Sequence, residues 1–164
     1  MMKDFMDKLS SYNLFNYLLP GILFAAFAER LTSHHIIQDD IVVTLFLCYF
    51  VGMCVSRIGS LIIEPILKAT SFVRFASYSE FVKASQTDAK LEILSEANNT
   101  YRTLFSLFVS LLLLTLFDAG MRVLDASQRT STIILCALLA LLFAWSYRKQ
   151  TSYITNRIKT ILKG

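Results

Sequence analysis

Four long apolar stretches, each bounded by charged residues, alternate with polar segments along the chain. The hydrocarbon core of a bilayer is about 30 Å thick, so a spanning helix needs about 20 apolar residues, with roughly 17 as the lower end. The stretches that approach this length cover residues 12–31, 41–63, 103–118 and 130–147. They predict an all-α, polytopic membrane protein with four transmembrane helices.

The composition agrees with that prediction. Of the 164 residues, 55% are hydrophobic and 17% are charged, whereas soluble domains carry about 25% charge. The abundant Phe, Tyr and Leu also exclude a disordered chain. The length allows one domain. The three cysteines lie within apolar stretches, which favours buried thiols over disulfides or a metal site: Cys48, Cys54 and Cys136.

The first stretch does not have the pattern of a cleaved signal peptide. The segment before it, MMKDFMDKLS, balances two Lys with two Asp, and the apolar run ends in AERLT, without an A-x-A-like cleavage site. We therefore expect a retained helix.

The distribution of Lys and Arg predicts the orientation. The N-terminal segment, the region between the second and third stretches with its flanking Arg57, and the C-terminal tail hold 13 of the 16 cations. The remaining cations are Arg30, Arg122 and Arg129. By the positive-inside rule, both termini are expected in the cytoplasm, which requires an even number of crossings.

The larger polar segments are thus expected to be cytoplasmic. Residues 64–102 predict a helical extension, with a helix that runs on past or restarts at Pro65, a start signal at Ser79–Glu80, and Asp88 as the cap of a helix leading into the third span. The basic tail, residues 148–164, has amphipathic spacing. It fits either the anionic membrane surface or packing, within or between subunits, on segment 64–102.

Ionisable residues near the membrane are the first candidates for function. Arg57 and Glu64 are seven residues apart, so they share one face of the second helix, and Lys68 continues that face. They could line an aqueous pore or pair with a neighbouring subunit. Alternatively, Arg57 lies at the inner headgroup level and extends its charge to water.

Small and amide residues predict where helices pack. Gly52, Ser56 and Ser60 form a small-xxx-small ladder on the second helix, whose partner could lie in the same chain or in another subunit. On the first helix, Asn13, Asn16, Pro20 and Gly21 predict a similar contact. The two Asn side chains need hydrogen-bond partners in hydrocarbon, which favours helix–helix hydrogen bonding over a pore lining.

Motifs for catalysis or cofactor binding were not found in the sequence. His34 and His35, near Asp39 and Asp40, fit a solvated polar loop better than a metal or pH-sensing site, because adjacent residues diverge on a helix. The glycines are too scattered for a phosphate-binding loop, and no hydrolase motif occurs. We expect a protein without enzyme activity, cofactor or bound metal, and without nucleic-acid binding.

Three segments carry a resemblance to a known group of proteins. YNLFNYLLPG (residues 12–21), SRIGSLIIEP (residues 56–65) and LEILSEANNTYR (residues 91–102) resemble parts of small four-span membrane proteins of bacteria. Some proteins of that build are membrane components of anti-phage defence systems. The resemblance implies a location in the bacterial inner membrane and a role in defence, and it carries over no catalytic residue.

Two functions follow as expectations. The first is a homo-oligomeric inner-membrane effector or sensor whose subunits pack through the helix-two ladder. Its cytoplasmic segment receives a protein partner or signal, and in a sharper version a pore lined by Arg57, Glu64, Asn13 or Asn16 opens. The alternative is a non-conducting anchor or scaffold that recruits a soluble partner protein. A lipid-handling enzyme would need a convergent polar pocket that the sequence does not predict.

The predicted topology can be tested by labelling. A cysteine-bearing tag at either terminus should stay unlabelled by an impermeant thiol reagent in intact cells and become labelled after permeabilisation, because the positive-inside bias places both ends in the cytoplasm. Labelling of either terminus from outside would contradict this topology.

Overall fold

A computed structural model describes residues 13–163, of which Lys163 is described by its backbone alone. The predicted start of the first span at residue 12, the N-terminal cations Lys3 and Lys8, and Gly164 lie outside the described residues. The described part contains five helices and no strand, which confirms the all-α class. They are α1 (Leu14–Leu31), α2 (Ile41–Ala69), α3 (Tyr78–Thr87), α4 (Lys90–Val123) and α5 (Gln128–Lys163).

Four of these helices, α1, α2, α4 and α5, are long and apolar enough to cross a membrane. The chain is therefore a multi-pass membrane protein. Helices α4 and α5 extend well beyond the predicted spans 103–118 and 130–147, because no break separates the apolar stretch from the polar residues that flank it. Segment 64–102 thus includes the end of α2 and the start of α4, and most of the predicted tail belongs to α5.

Helices α1, α2 and α4 form the packed core, and α5 packs mainly along α2. The core side chains are apolar and come from all three inner helices: Phe24, Ala28, Val55, Leu107 and Leu111. Most of α5 exposes apolar side chains such as Leu138, Leu141 and Trp145. This distribution fits helices surrounded by lipid, in which apolar side chains face outward as well as inward.

Helices α1 and α2 cross at two glycines whose backbones touch. A Cβ on Gly21 would overlap the Cys48 carbonyl, and a Cβ on Gly52 would overlap the Tyr17 carbonyl. Any residue larger than glycine would force the two helices apart at either position. The structure therefore assigns the α2 ladder to a contact within the chain.

The expectation that subunits pack through this ladder needs correction. Gly52 and Ser56 are buried between α1 and α2, and Ser60 hydrogen-bonds to α5. Sequence spacing identified small residues but did not show which helix covers them. Any contact between subunits must use other surfaces.

Both prolines follow a π-helical turn. Leu14–Leu18 precedes Pro20 in α1, and Gly59–Ile63 precedes Pro65 in α2. A π turn redirects hydrogen bonds to the residue five positions back, so proline, which lacks an N–H, is accommodated without ending the helix. The structure thus decides between the two predictions for Pro65, and α2 continues through it to Ala69.

The connections at the two ends are fixed by polar contacts. Helix α3 starts at a capping box in which the Ser77 hydroxyl and the Glu80 side chain bond each other's backbone N–H groups. The N-cap is therefore Ser77, two residues before the predicted start at Ser79, and that prediction was wrong. Asp88 accepts the Lys90 N–H at 2.9 Å, with Ala89 as the residue before α4. Hydrogen bonds from Ser77 lower the pKa of Glu80, so this cap is retained above the ordinary carboxyl pKa and weakens as the pH falls through the lowered value.

At the other end of the bundle, two carboxylates hold the loop between α1 and α2. Glu29 accepts the N–H groups of Ile36 and Ile37 at 2.6 and 3.0 Å. The buried Asp118 of α4 accepts the Ser33 backbone N–H at 3.3 Å and the Ser33 hydroxyl at 2.5 Å. These bonds attach the loop to α1 and α4 because they satisfy backbone groups that lack a helical partner.

The glycine crossing yields the second prediction. Gly52→Ala should lower the stability of the full-length protein in detergent by about 1–3 kcal/mol, because the added Cβ has no space between the two backbones. Thermal unfolding followed by circular dichroism would measure this loss.

Gly120→Ala provides the matched control. Nothing lies within 4 Å of a Cβ at this helical position, so the change should be neutral or stabilising by up to about 1 kcal/mol. Equal effects of the two substitutions would contradict the assigned crossing.

Candidate functional site

A cluster of polar side chains joins the three core helices next to the glycine crossing of α1 and α2. The Thr103 hydroxyl of α4 donates to Asn16 Oδ1 of α1 at 2.7 Å, and Asn16 Nδ2 donates to Ser56 Oγ of α2 at 3.3 Å. Asn16 is 1% exposed and Thr103 is fully buried. An amide in this position needs such partners because an unsatisfied polar group in hydrocarbon costs several kcal/mol. Asn16 therefore links the three helices, and its side chain is buried among the described residues.

Further along α2, a cluster of charged side chains lies where α2, α4 and α5 meet. It consists of Glu64, Lys68 and Arg102. Glu64 is 9% exposed. Its Oε1 accepts Lys68 Nζ and its Oε2 accepts Arg102 Nη1, each at 2.7 Å. Both carboxylate oxygens are thus engaged by cations, one on the same helix and one on α4. We call the bundle end that holds this group the basic end.

The π turn of α2 creates the attachment point for α5. Within this turn the Glu64 N–H bonds the Gly59 carbonyl, and Pro65 has no N–H to offer. The Ser60 carbonyl is therefore left without its usual helical donor. Lys149 Nζ of α5 donates to this carbonyl at 2.5 Å and lies 2.8 Å from Ser60 Oγ. The lysine thus satisfies an orphan backbone group and ties α5 to α2.

The aromatic side chains beside this attachment join α5 to α3. The rings of Tyr78 and Tyr153 stack with their centroids 6.3 Å apart, and Lys149 Nζ lies 5.6 Å from the Tyr153 ring centroid. Of the predicted basic tail, Tyr153 therefore contacts segment 64–102, whereas the apolar side chains beyond it, Ile154, Ile158, Ile161 and Leu162, are exposed. Whether those residues lie on the membrane surface or pack on a neighbouring subunit stays a prediction.

These contacts surround an open cleft of about 540 Å³ at the basic end. We call it the basic cleft. All five helices contribute to its walls, together with the connection between α2 and α3. Its charged and polar walls include Tyr17, Arg57, Ser60, Glu64, Lys68, Asn98, Asn99 and Arg102, and its aromatic walls include Phe75, Tyr78, Phe81 and Tyr153.

Of the site residues predicted from the sequence, some line the cleft and others pack between the helices. Arg57 and Glu64 both line the cleft, and Arg57 Nη2 lies 3.5 Å from the Tyr17 hydroxyl. Asn16 belongs to the buried cluster. Asn13 is partly buried at the start of α1 and makes no side-chain capping bond. Pro20 and Gly21 are buried in the α1–α2 contact.

Sequence reasoning missed three members of the site: Arg102, Thr103 and Lys149. Each lies at the end of an apolar stretch, next to the cations or hydroxyls that mark the membrane boundary. An even number of crossings brings the end of the second span, the start of the third and the end of the fourth to one side. That topology is the signal that could have paired Glu64 with Arg102.

The histidines of the opposite loop do not converge with its aspartates. His35 Nδ1 lies 3.0 Å from Glu29 Oε2, while Asp40 caps α2 by accepting the N–H groups of Val42 and Val43. Within residues 13–163, no group of three or more His, Cys, Asp or Glu is arranged to hold a metal ion.

Fold and site together define the class: an all-α, multi-pass membrane protein with a positively charged cleft at one end of its helical bundle. Comparisons with protein-family models, curated proteins and solved structures find no match to this chain. The function is therefore argued from the geometry of the cleft.

The buried polar cluster yields the third prediction. Thr103→Val should destabilise the protein by about 1–2 kcal/mol, because it removes the α1–α4 hydrogen bond and leaves Asn16 Oδ1 without its donor. Chemical unfolding of the purified protein in mixed micelles would measure the change.

Thr115→Val is the control on the same helix. The Thr115 hydroxyl bonds only the Leu111 carbonyl of its own helix among the contacts described, and such bonds add little to helix stability. A loss for Thr115→Val as large as that for Thr103→Val would contradict a role of the cluster in joining helices.

Proposed function

We propose that the protein is the sensing subunit of an oligomeric effector in the bacterial inner membrane, with the basic end in the cytoplasm. The observation that carries this proposal is the basic cleft, to which all five helices contribute. A ligand or partner that enters the cleft can contact several helices at once, so its binding energy can shift their relative positions.

The arrangement of α5 supports a sensing role. Helix α5 packs mainly along α2 and is tied to it by Lys149 at the cleft. Few buried contacts hold the rest of α5, whose apolar side chains are largely exposed. An element with few buried contacts is the one that moves most easily when its attachment changes.

Conduction through a single chain is disfavoured by the packing. Apolar side chains such as Phe24, Val55 and Leu107 fill the space between α1, α2 and α4, and Asn16 is hydrogen-bonded between helices. In the effector proposed here, any pore would therefore form between subunits, and the cleft would control it. The defence role rests on the resemblance of three segments to four-span bacterial proteins.

A second candidate, a scaffold that recruits a soluble protein, is favoured by a separate observation. At the start of α4, Ile93 and Leu94 are 67% and 64% exposed, within the polar segment predicted to lie outside the bilayer. Adjacent apolar side chains exposed in that position would offer a contact for a partner protein.

The fourth prediction separates the two candidates in cells. A bacterial host carrying the gene with its neighbours would be challenged with a panel of phages, and plating efficiency and membrane potential would be recorded. Arg57→Gln should abolish protection and the change in potential while the protein remains in the membrane at its usual level, because the sensing function depends on the cleft.

The controls use the same chain. Arg148→Gln removes an exposed cation at the same end, outside the cleft walls, and should retain protection. The double variant Ile93→Asp, Leu94→Asp should retain it as well if the protein is a sensor and lose it if the protein is a scaffold. If the wild type protects the cells and the Arg57→Gln variant protects them equally well, the sensing role of the cleft is refuted.

A further inference from the structure

The charges around the basic cleft are unbalanced. Arg57, Lys68 and Arg102 line it, and Lys149 Nζ adjoins it at Ser60. Glu64 is the one carboxylate among the described lining residues, and Lys68 and Arg102 already occupy its two oxygens. The cleft therefore holds a surplus of positive charge, which attracts an anionic ligand.

The hydrogen-bond donors are also in surplus. Arg57 contacts the Tyr17 hydroxyl at 3.5 Å and forms no ion pair with a carboxylate in residues 13–163. Arg102 Nε is buried and has no acceptor among the described residues. A guanidinium offers five donors in a planar fork, so most donors of Arg57 remain available to a ligand. The cleft is therefore suited to an anion that offers several hydrogen-bond acceptors.

The size and walls of the cleft narrow the class of anion. A volume of about 540 Å³ lies within the range of small-molecule sites and exceeds what an inorganic ion requires. The aromatic side chains of Phe75, Tyr78, Phe81 and Tyr153 line the part nearest α3 and α5. Such walls accommodate an organic group, while arginine matches the tetrahedral oxygens of phosphate through paired hydrogen bonds.

We infer that the basic cleft binds a phosphate-bearing organic ligand, with the phosphoryl group at Arg57 and Arg102 and the organic group against the aromatic walls. This inference rests on the proposed sensing function and names its ligand class. The phosphate could belong to a soluble phosphomonoester or to an anionic lipid headgroup. Both present the same oxygens to the same cations.

The test uses full-length protein in phosphatidylcholine nanodiscs at about 0.15 M salt, which screens distant surface charges. In the first arm, adenosine monophosphate and uncharged adenosine are titrated by calorimetry. In the second, phosphatidic acid is added to the nanodisc lipid, and thermal unfolding is compared with that in phosphatidylcholine alone. Saturable binding of the monophosphate, or stabilisation by phosphatidic acid, is expected and identifies the source of the phosphate.

Variants tie the binding to the cleft. Arg57→Gln should lower the affinity for whichever probe binds the wild type by about tenfold or more, as expected for the loss of a charge-assisted hydrogen bond. Arg57→Lys should retain part of the affinity, and Arg148→Gln should bind like the wild type. Circular dichroism of each variant establishes that it is folded.

The outcomes separate this inference from the proposed function. If neither probe binds, or if Arg148→Gln weakens binding as much as Arg57→Gln, the phosphate assignment is overturned, while loss of protection in the Arg57→Gln cells would still support sensing. If a probe binds through Arg57 but the Arg57→Gln cells remain protected, the ligand assignment stands and the sensing function fails.

Discussion

The close contact of α1 with α2 at Gly21 and Gly52 is the constraint on which the rest of the structure depends. In lipid, apolar side chains gain little from leaving one hydrocarbon environment for another, so helices associate through close packing and hydrogen bonds. The two glycines let the backbones touch. That approach brings Asn16 within reach of Ser56 and Thr103, and the resulting hydrogen bonds join α4 to the pair.

The π turn before Pro65 extends the consequences of this packing to the basic end. A π turn before Pro65 lets α2 continue beyond the core and carries Glu64 to a position between Lys68 and Arg102. The same turn leaves the Ser60 carbonyl for Lys149. A backbone irregularity in one helix thus determines where another helix attaches.

Much of the fold could be predicted from sequence, because the lengths of four apolar stretches set the number of membrane-spanning helices. The residues important for packing, among them Gly52 and Asn16, were also identifiable from their size and polarity. Their partners were not, because helical spacing shows which residues share a face and does not show what covers that face. The sequence therefore leaves open whether the ladder Gly52, Ser56 and Ser60 packs within the chain or between subunits, whereas the structure packs it within the chain. Topology, orientation in the membrane and the link to defence stay predictions.

The location of the cleft follows from the cost of burying charge. Four cations and one carboxylate could not be placed among Phe24, Val55 and Leu107 without losing more hydration energy than their pairing returns. At the ends of the helices they remain hydrated while their stems pack on the bundle. The apolar core then holds the helices together, and the hydrated end carries the charged side chains of the cleft. Because Lys149 both anchors α5 and adjoins the cleft, a change in the charges there acts directly on the least enclosed helix. In this molecule, the positive charge beside the cleft and the attachment of α5 to α2 therefore depend on the same side chain.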